Sequence, residues 1–419
     1  MQARRTCGRM PAWKERTNHQ HPRCPRQNES NRPGLATRLF LGTVGATCQP
    51  STYKLRLSTR NLQPATGNEM SIQKEAGQRN RALLEQYRAR QIDLEARYLV
   101  QMAHLTVPST VWKYVEKAVT SSEANLVMLD LEDSIPRDNE DLLQLGRNNI
   151  IKALEHLDWG MRLRFFRPRG IELDPSHDDI ITIVQAVGAS LDGLVYPKIE
   201  TAAEVRSVDE TLARVEAGAG LIPGRIKIQV LIESASAVEN VFEIASASRR
   251  LTGLIFGSYD YWASLGLRPV SYRSDHPLLN YARTRIVQAA GVVGVPAIAE
   301  MTTNYPTRDK THEQRLAAVE EFQRDSLLAL SFGFSGKWTG IPEQTALAVE
   351  LFRISDEEIN AAITGAREFL EVERSGRGAT MMKGRMIDRA TDRVNRNVLK
   401  TAYALGVLDK ELAIELGIE

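Results

Sequence analysis

The chain has 419 residues, enough for two or three domains or for one barrel of roughly 250 residues with extensions. A quarter of the residues are charged and the net charge is +2, so neither nucleic acid nor a membrane is expected as the main partner. Three cysteines, Cys7, Cys24 and Cys48, fall within the first fifty residues, so no disulfide framework or zinc cluster is supported, and no apolar run reaches the ~18 residues a bilayer span needs.

Residues 1–70 are rich in Arg, Pro, Asn and Gln and read as a disordered basic tail. Pro11, Pro22, Pro25 and Pro33 break any amphipathic helix there. The expectation is an appended or mis-started segment, with Met70 as an alternative start and a cytoplasmic protein. The alternative is a transit peptide and an organellar one. Residues 71–100 turn helical and highly charged, as an exposed or interface helix would.

From residue 104 a strand–helix alternation begins. Strands are expected at 104–107, 126–131, 163–166, 193–196, 226–232, 253–256, 295–299 and 331–334, with helices such as 111–119, 202–217, 236–247 and 278–290 between them. Continuous apolar strands alternating with helices indicate a parallel sheet covered on both faces. Eight such units predict an α/β fold closed as a (β/α)8 TIM barrel over 101–342. A doubly wound sheet is the runner-up, but no glycine-rich turn follows an early strand. Beyond residue 342 the pattern changes to a C-terminal helical lid domain, 343–419. Ser355 followed by Asp356, Glu357 and Glu358 is a strong helix start. A glycine-rich stretch, 376–388, reads as a mobile loop ending in Asp388.

Two of the expected strands end in acids, Glu233 and Asp260. One acid at a strand end is usually a cap. Two on adjacent strands, at the end where barrel sites form, suit a hard divalent cation. Without His or Cys beside them, Mg²⁺ or Mn²⁺ is the expected ion. Two protein carboxylates leave positions for water and substrate oxygens, as a Lewis acid requires. Asp130, Glu132 and Asp133 crowd another strand end and need a cation or arginines to neutralise them. A helix-start charge cluster is the plain reading. The functional one has these acids holding metal waters and a substrate-gripping arginine. Arg162, Arg164, Arg167 and Arg169 surround the third strand; Arg167 and Arg169 lie nearest its carboxyl end, where an arginine grips a carboxylate or enolate. Surface salt bridging accounts for at least two of the four. Lys198 also ends a strand. The seven histidines show no metal-ligand spacing in the barrel, and no Ser-His-Asp or Cys-His nucleophile system has a candidate.

Six motifs occur in order: Leu129-Asp130-Leu131-Glu132-Asp133-Ser134, Gly193-Leu194-Val195-Tyr196-Pro197-Lys198, Leu231-Ile232-Glu233-Ser234-Ala235, Phe256-Gly257-Ser258-Tyr259-Asp260-Tyr261, Ala282-Arg283-Thr284-Arg285-Ile286-Val287 and Gly333-Phe334-Ser335-Gly336-Lys337-Trp338. Together, over about residues 100–405, they resemble the citrate lyase beta-subunit-like and malyl-CoA lyase group of the HpcH/HpaI aldolase superfamily. The resemblance implies a TIM barrel with Mg²⁺ on Glu233 and Asp260, and Arg167 gripping the oxo-acid product. Glu132, Asp133 and Lys198 are the further expected substrate contacts. It implies a lid aspartate, here Asp388 in Gly384-Arg385-Met386-Ile387-Asp388, that acts as acid or base in a neighbouring subunit. A homo-oligomer, trimer or hexamer, follows from such a lid. The expected activity is Mg-dependent cleavage or condensation of a 3-hydroxyacyl-CoA, such as malyl-CoA or citramalyl-CoA, into an acyl-CoA and a 2-oxo acid. The alternatives are a metal-dependent aldolase on free 4-hydroxy-2-oxo acids, or a non-catalytic citrate lyase-like subunit. The sequence departs from the group in three places. Ile341 stands where a histidine is usual. The arginine–serine pair that opens the first strand is absent around residues 101–105. The third strand ends Phe166-Arg167-Pro168-Arg169 rather than Arg-x-Asn.

Overall fold

A computed structural model describes residues 94–382 and 384–418, all within the unit Pro64–Glu419. The basic tail and most of the expected 71–100 helix lie outside the described residues. In chain order the elements are α1 (Leu94–Leu99), β1 (Ala103–Pro108), α2 (Trp112–Ser121), β2 (Leu126–Asp130), α3 (Glu140–His156), β3 (Leu163–Arg167), α4 (Asp178–Val187), β4 (Gly193–Tyr196), α5 (Ala202–Gly218), β5 (Lys227–Ile232), α6 (Ala235–Glu239) and α7 (Val241–Ala245). They continue with β6 (Leu251–Phe256), α8 (Ser258–Ser264), α9 (Pro277–Val293), β7 (Ala297–Ala299), α10 (His312–Phe332), β8 (Gly336–Thr339) and α11 (Pro342–Phe352). The carboxyl-terminal part holds α12 (Asp356–Arg374), the hairpin β9 (Ala379–Met382) and β10 (Arg385–Asp388), α13 (Arg389–Ala404) and α14 (Lys410–Glu415).

Strands β1 to β8 pair in sequence, all parallel, and β8 pairs back onto β1 to close the barrel. Burial on both faces explains the unbroken apolar runs: all residues of β2, β4 and β6 are buried. Side-chain alternation splits each strand between two cores. Leu126, Met128, Leu163, Phe165, Val195, Leu231, Ile255 and Ile298 point into the barrel. Val127, Leu129, Phe166, Leu194, Ile228 and Val230 point out against the helices.

The last described turn of the expected exposed helix, α1, is a plug rather than a surface element. Tyr98 enters the inner core, donates to the Asp192 carbonyl at 3.1 Å and sits edge-on to Phe165. Gln101 then bonds the carbonyls of Tyr98 and Thr252 and accepts from Gln229. The amino-terminal end of the barrel is therefore closed, which leaves the carboxyl end for a site.

Three further expectations need correction. The eighth strand is not 331–334. That segment ends α10, where Gly333 at φ +98° supplies the left-handed cap, and the strand is Gly336–Thr339. Short apolar runs do not separate a helix end from a strand. Helix α11, placed beyond the barrel in the sequence reading, packs on it through Ala348, Val349 and Phe352, so the barrel continues past residue 342. The glycine-rich stretch forms an antiparallel hairpin that pairs Met381 with Met386 and Ala379 with Asp388. Its inner face carries Ile387 and Met382 onto Phe369 and Val372. The appendage has its own core between α12, α13 and α14, including Ile359, Ala366, Leu399 and Leu416. Ser355 caps α12 with a reciprocal Glu358 bond, as the sequence predicts.

The barrel seam depends on Gly336. A Cβ built there falls 1.7 Å from the Gln101 carbonyl oxygen. Replacing Gly336 with Ala is expected to lower the unfolding free energy by about 2–3 kcal/mol, the usual cost of overpacking against backbone. Urea unfolding checks this; an unchanged midpoint would show that the seam adjusts freely.

Candidate active site at the carboxyl end of the barrel

Five consecutive strands, β2 to β6, deliver a charged residue to the same mouth. Strand β2 ends on Asp130, on the inward alternation of Leu126 and Met128. Its carboxylate accepts from the backbone of Glu132 and of Ser134, each at 3.0 Å, so Asp130 folds the loop that carries Glu132 and Asp133. Strand β3 ends on Arg167, inward like Leu163 and Phe165 and 2% exposed. Its Nε donates to Asp130 Oδ1 at 2.6 Å and its Nη1 to Asp133 Oδ2 at 3.2 Å. Nη1 also lies 2.8 Å from Glu132 Oε2, an ion pair not aligned as a hydrogen bond. One guanidinium thus serves three acids. The other third-strand arginines go elsewhere. Arg169 bonds the buried Asp179, Arg164 pairs with Asp192, and Arg162 donates to the Ser122 carbonyl.

Lys198 follows β4 and stands in the left-handed region at φ +54°, which few non-glycine residues adopt. Its backbone N–H donates to Glu233 Oε1 at 2.7 Å, and its Nζ to Asp260 Oδ1 at 2.9 Å. Glu233 follows β5 directly and is buried. The chain leaving β6 passes close over it: a Cβ on Gly257 would lie 2.5 Å from Glu233 Cβ. Glycine there lets β6 run on into α8, whose first turn carries the half-exposed Asp260. Asp260 therefore sits on a helix start rather than at a strand end.

The charge balance is tight. Burial raises the Glu233 carboxyl above the usual range despite Lys198 beside it. Burial also pushes Glu132 up to about 8, opposed by Arg167. Asp130 is shifted down: burial opposes its ionisation, but the charge and hydrogen bond of Arg167 prevail. The same acids hold Arg167 and Lys198 firmly protonated against burial.

Glu132, Glu233 and Asp260 all lie within 3.7 Å of Lys198 Nζ. All-oxygen donors around one positive point have the hard chemistry that Mg²⁺ and Mn²⁺ prefer. Among the described residues no three acid, His or Cys side chains form a ready metal cluster. Glu233 and Asp260 as a pair, completed by water and substrate oxygens, fit the open arrangement.

Asp388 is not brought to this mouth within the chain. It caps α13, exchanging bonds with Thr391, and backbone bonding holds its carboxyl below the usual range. It shares the outer face of the hairpin with the exposed Met381 and Met386.

Several groups were not legible as site neighbours. Beyond β7, Glu300 pairs with the buried Arg283 and its carbonyl accepts from Lys337 at 2.8 Å. Burial lowers the Lys337 ammonium. Beside Asp260, Tyr259 stacks on Tyr272 at 4.4 Å and bonds Thr303. Tyr259, Tyr272 and Thr303, with Thr302, Arg324 and Asp325, line a cleft of about 560 Å³. His104 lies inside the barrel, both ring nitrogens without a hydrogen-bond partner, its pKa lowered to about 3 by burial. The recurrent Arg283 and Lys337 motifs were signals, but nothing in them names their partner.

A closed eightfold parallel barrel with its acids gathered at the carboxyl mouth is the architecture of a barrel enzyme. A family model for HpcH/HpaI aldolase/citrate lyase matches residues 104–337, and the chain belongs to that family. The L-malyl-CoA/beta-methylmalyl-CoA lyase of Rhodobacter capsulatus is 30% identical over 302 residues, covering 68% of this chain and 89% of the relative. Among solved structures, a citrate lyase of Burkholderia xenovorans LB400 superposes with a TM-score of 0.60 at 21% identity, over 75% of this chain and 95% of that one. Protein CitE of Mycobacterium tuberculosis, solved with magnesium, acetoacetate and coenzyme A, gives 0.52 at 22% identity over 73% and 99%. The family and its relatives make this chain an enzyme of the carbon–carbon lyase class. No helix among the described residues is long and apolar enough to cross a membrane.

The Glu132 carboxyl gives a pH signature. Unfolded, it loses its proton near 4.3; folded and metal-free, near 8. Between those values the folded state binds the extra proton, so stability falls as pH rises through the window. Urea unfolding in EDTA between pH 5 and 8.5 should show the wild type losing stability relative to Glu132→Gln as pH rises, with the contribution of the buried His104 common to both. Parallel profiles for the two would contradict the assignment.

Proposed function

We propose that the chain is a divalent-metal-dependent lyase that cleaves, or forms, the carbon–carbon bond of a 3-hydroxyacyl thioester of coenzyme A. The products are an acyl-CoA and a 2-oxo acid, as for malyl-CoA or citramalyl-CoA. The observation that carries this is the convergence of Glu132, Glu233 and Asp260 on one cationic point at the barrel mouth. The malyl-CoA lyase relative, and the magnesium and coenzyme A named with the mycobacterial structure, support the substrate class and the ion.

Glu233 and Asp260 would hold Mg²⁺, with Mn²⁺ as the substitute. When bound, the ion supplies Lewis acidity to the substrate's hydroxyl and carboxylate oxygens. Arg167 would lie against the oxo-acid portion and neutralise charge there, its orientation kept by Asp130 and Asp133. Glu132 and Asp133 set the position of Arg167 and bound water, and Lys198 adds a second positive group. In cleavage the hydroxyl gives up its proton to solvent, its carbon becomes the carbonyl of the oxo acid, and the bonding pair of the broken carbon–carbon bond passes to the α-carbon of the thioester. The Asp388 carboxylate, once protonated from solvent, delivers that proton to the α-carbon; in condensation it removes one. Its position on an exposed hairpin, away from its own barrel's acids, supports service to a neighbouring subunit, hence a homo-oligomer of trimeric or hexameric order. We place the enzyme in the cytoplasm, with an organelle as the alternative if the basic tail is a transit peptide.

One observation favours a different substrate. The arginine–serine pair that usually opens the first strand in the group this sequence resembles, there a contact to the phosphate of coenzyme A, is missing around residues 101–105. A metal-dependent aldolase on free 4-hydroxy-2-oxo acids needs no such contact.

Assaying released oxo-acid from a panel of 3-hydroxyacyl-CoA esters and free 4-hydroxy-2-oxo acids with Mg²⁺ separates the two. Glu233→Ala should lower kcat/KM by about a thousandfold or more, as expected when a Lewis acid loses a ligand; retained turnover would reject the site. Asp388→Asn should lower kcat on the thioester by about a hundredfold or more, the scale of general acid–base catalysis. Unchanged turnover in that variant would favour the free oxo-acid aldolase.

A further inference from the structure

Lys198 joins two roles in one residue. Its backbone N–H fixes Glu233 Oε1 at 2.7 Å. Its ammonium lies 2.9 Å from Asp260, and 3.7 Å from both Glu233 and Glu132. The left-handed backbone at φ +54° aims both groups at the same acids. The two roles are separable, because the backbone bond does not need the side chain. The side chain is about one-third exposed, so solvent lies open to it on one side.

Two cations cannot occupy one point between the same oxygens. At about 4 Å their repulsion is large unless bulk water screens it, and here the acids are mostly buried. Conversely, the acids left without any cation would repel one another.

We infer that Lys198 is a built-in placeholder cation. It occupies the point between Glu132, Glu233 and Asp260 while no metal is bound, and swings outward when a divalent ion takes Glu233 and Asp260. The displaced ammonium then borders the site as a positive wall for an anionic substrate. This rests on the metal assignment proposed above. Part of the metal's binding energy is used in the exchange, so the lysine weakens metal affinity while keeping the empty site folded.

The test uses the full chain, stripped with EDTA and titrated with MnCl2 by calorimetry, with thermal unfolding recorded with and without Mn²⁺. Lys198→Met should bind Mn²⁺ about tenfold more tightly, a discounted share of the charge interaction because Asp260 is half-exposed. Its metal-free form should melt lower, and its Mn²⁺-induced rise in Tm should exceed that of the wild type. Lys198→Arg, which keeps the charge, should stay near the wild-type affinity. Equal or weaker Mn²⁺ binding in Lys198→Met overturns the placeholder role while leaving the metal site standing. If wild type and Glu233→Ala bind Mn²⁺ equally poorly, the metal assignment itself falls, and the placeholder with it.

Discussion

Like charge concentrated in a small, dry volume is the constraint around which this molecule is arranged. Asp130, Glu132, Asp133, Glu233 and Asp260 meet at one end of the barrel, where burial makes ionisation of Asp130, Glu132 and Glu233 costly. Two cations, Arg167 and Lys198, balance them. Neither cation has only one partner, and neither can be removed without leaving a buried acid uncompensated. Five acids against two cations leave the mouth with more carboxylate oxygens than protein cations to partner them.

The scaffold supplies the precision. Each charged group follows, or ends, a strand fixed by pairing on both sides, so the mouth inherits the barrel's rigidity. Glycine is used where backbone must pass close: Gly257 over Glu233, and Gly336 against Gln101 at the seam. The amino-terminal end is filled by Tyr98, Gln101 and Gln229, so solvent reaches the acids from one side. The appendage stands apart in character. Its core is small, and its hairpin offers methionines and an aspartate on an outward face.

How much was readable depended on whether a feature is local. The strands leading to Glu233 and Asp260 announce themselves because parallel strands buried on both faces are continuous apolar runs. The start of α12 was readable because Ser355 and Glu358 satisfy each other within one turn. The eighth strand was misplaced because Phe332 and Phe334 are apolar in either structure, and the decision lay with Gly333's left-handed cap. Glycine content over 376–388 registers as flexibility, while the strand pairing of 379–388 depends on Phe369 and Val372 beneath it.

Residue chemistry along the chain was enough to establish the barrel class, the acids that follow its strands and the family to which they belong, since periodicity and short motifs are properties of neighbours in sequence. Which arginine faces the mouth was decided only in three dimensions. Arg167 and Arg169 are two residues apart, yet one closes on Asp130 and the other on Asp179. The same holds for Lys198, whose ammonium meets acids brought from β2, β5 and α8. Such meetings join residues 35 to 66 positions apart, and only closure of the barrel brings them within the few ångströms at which charges act strongly on one another.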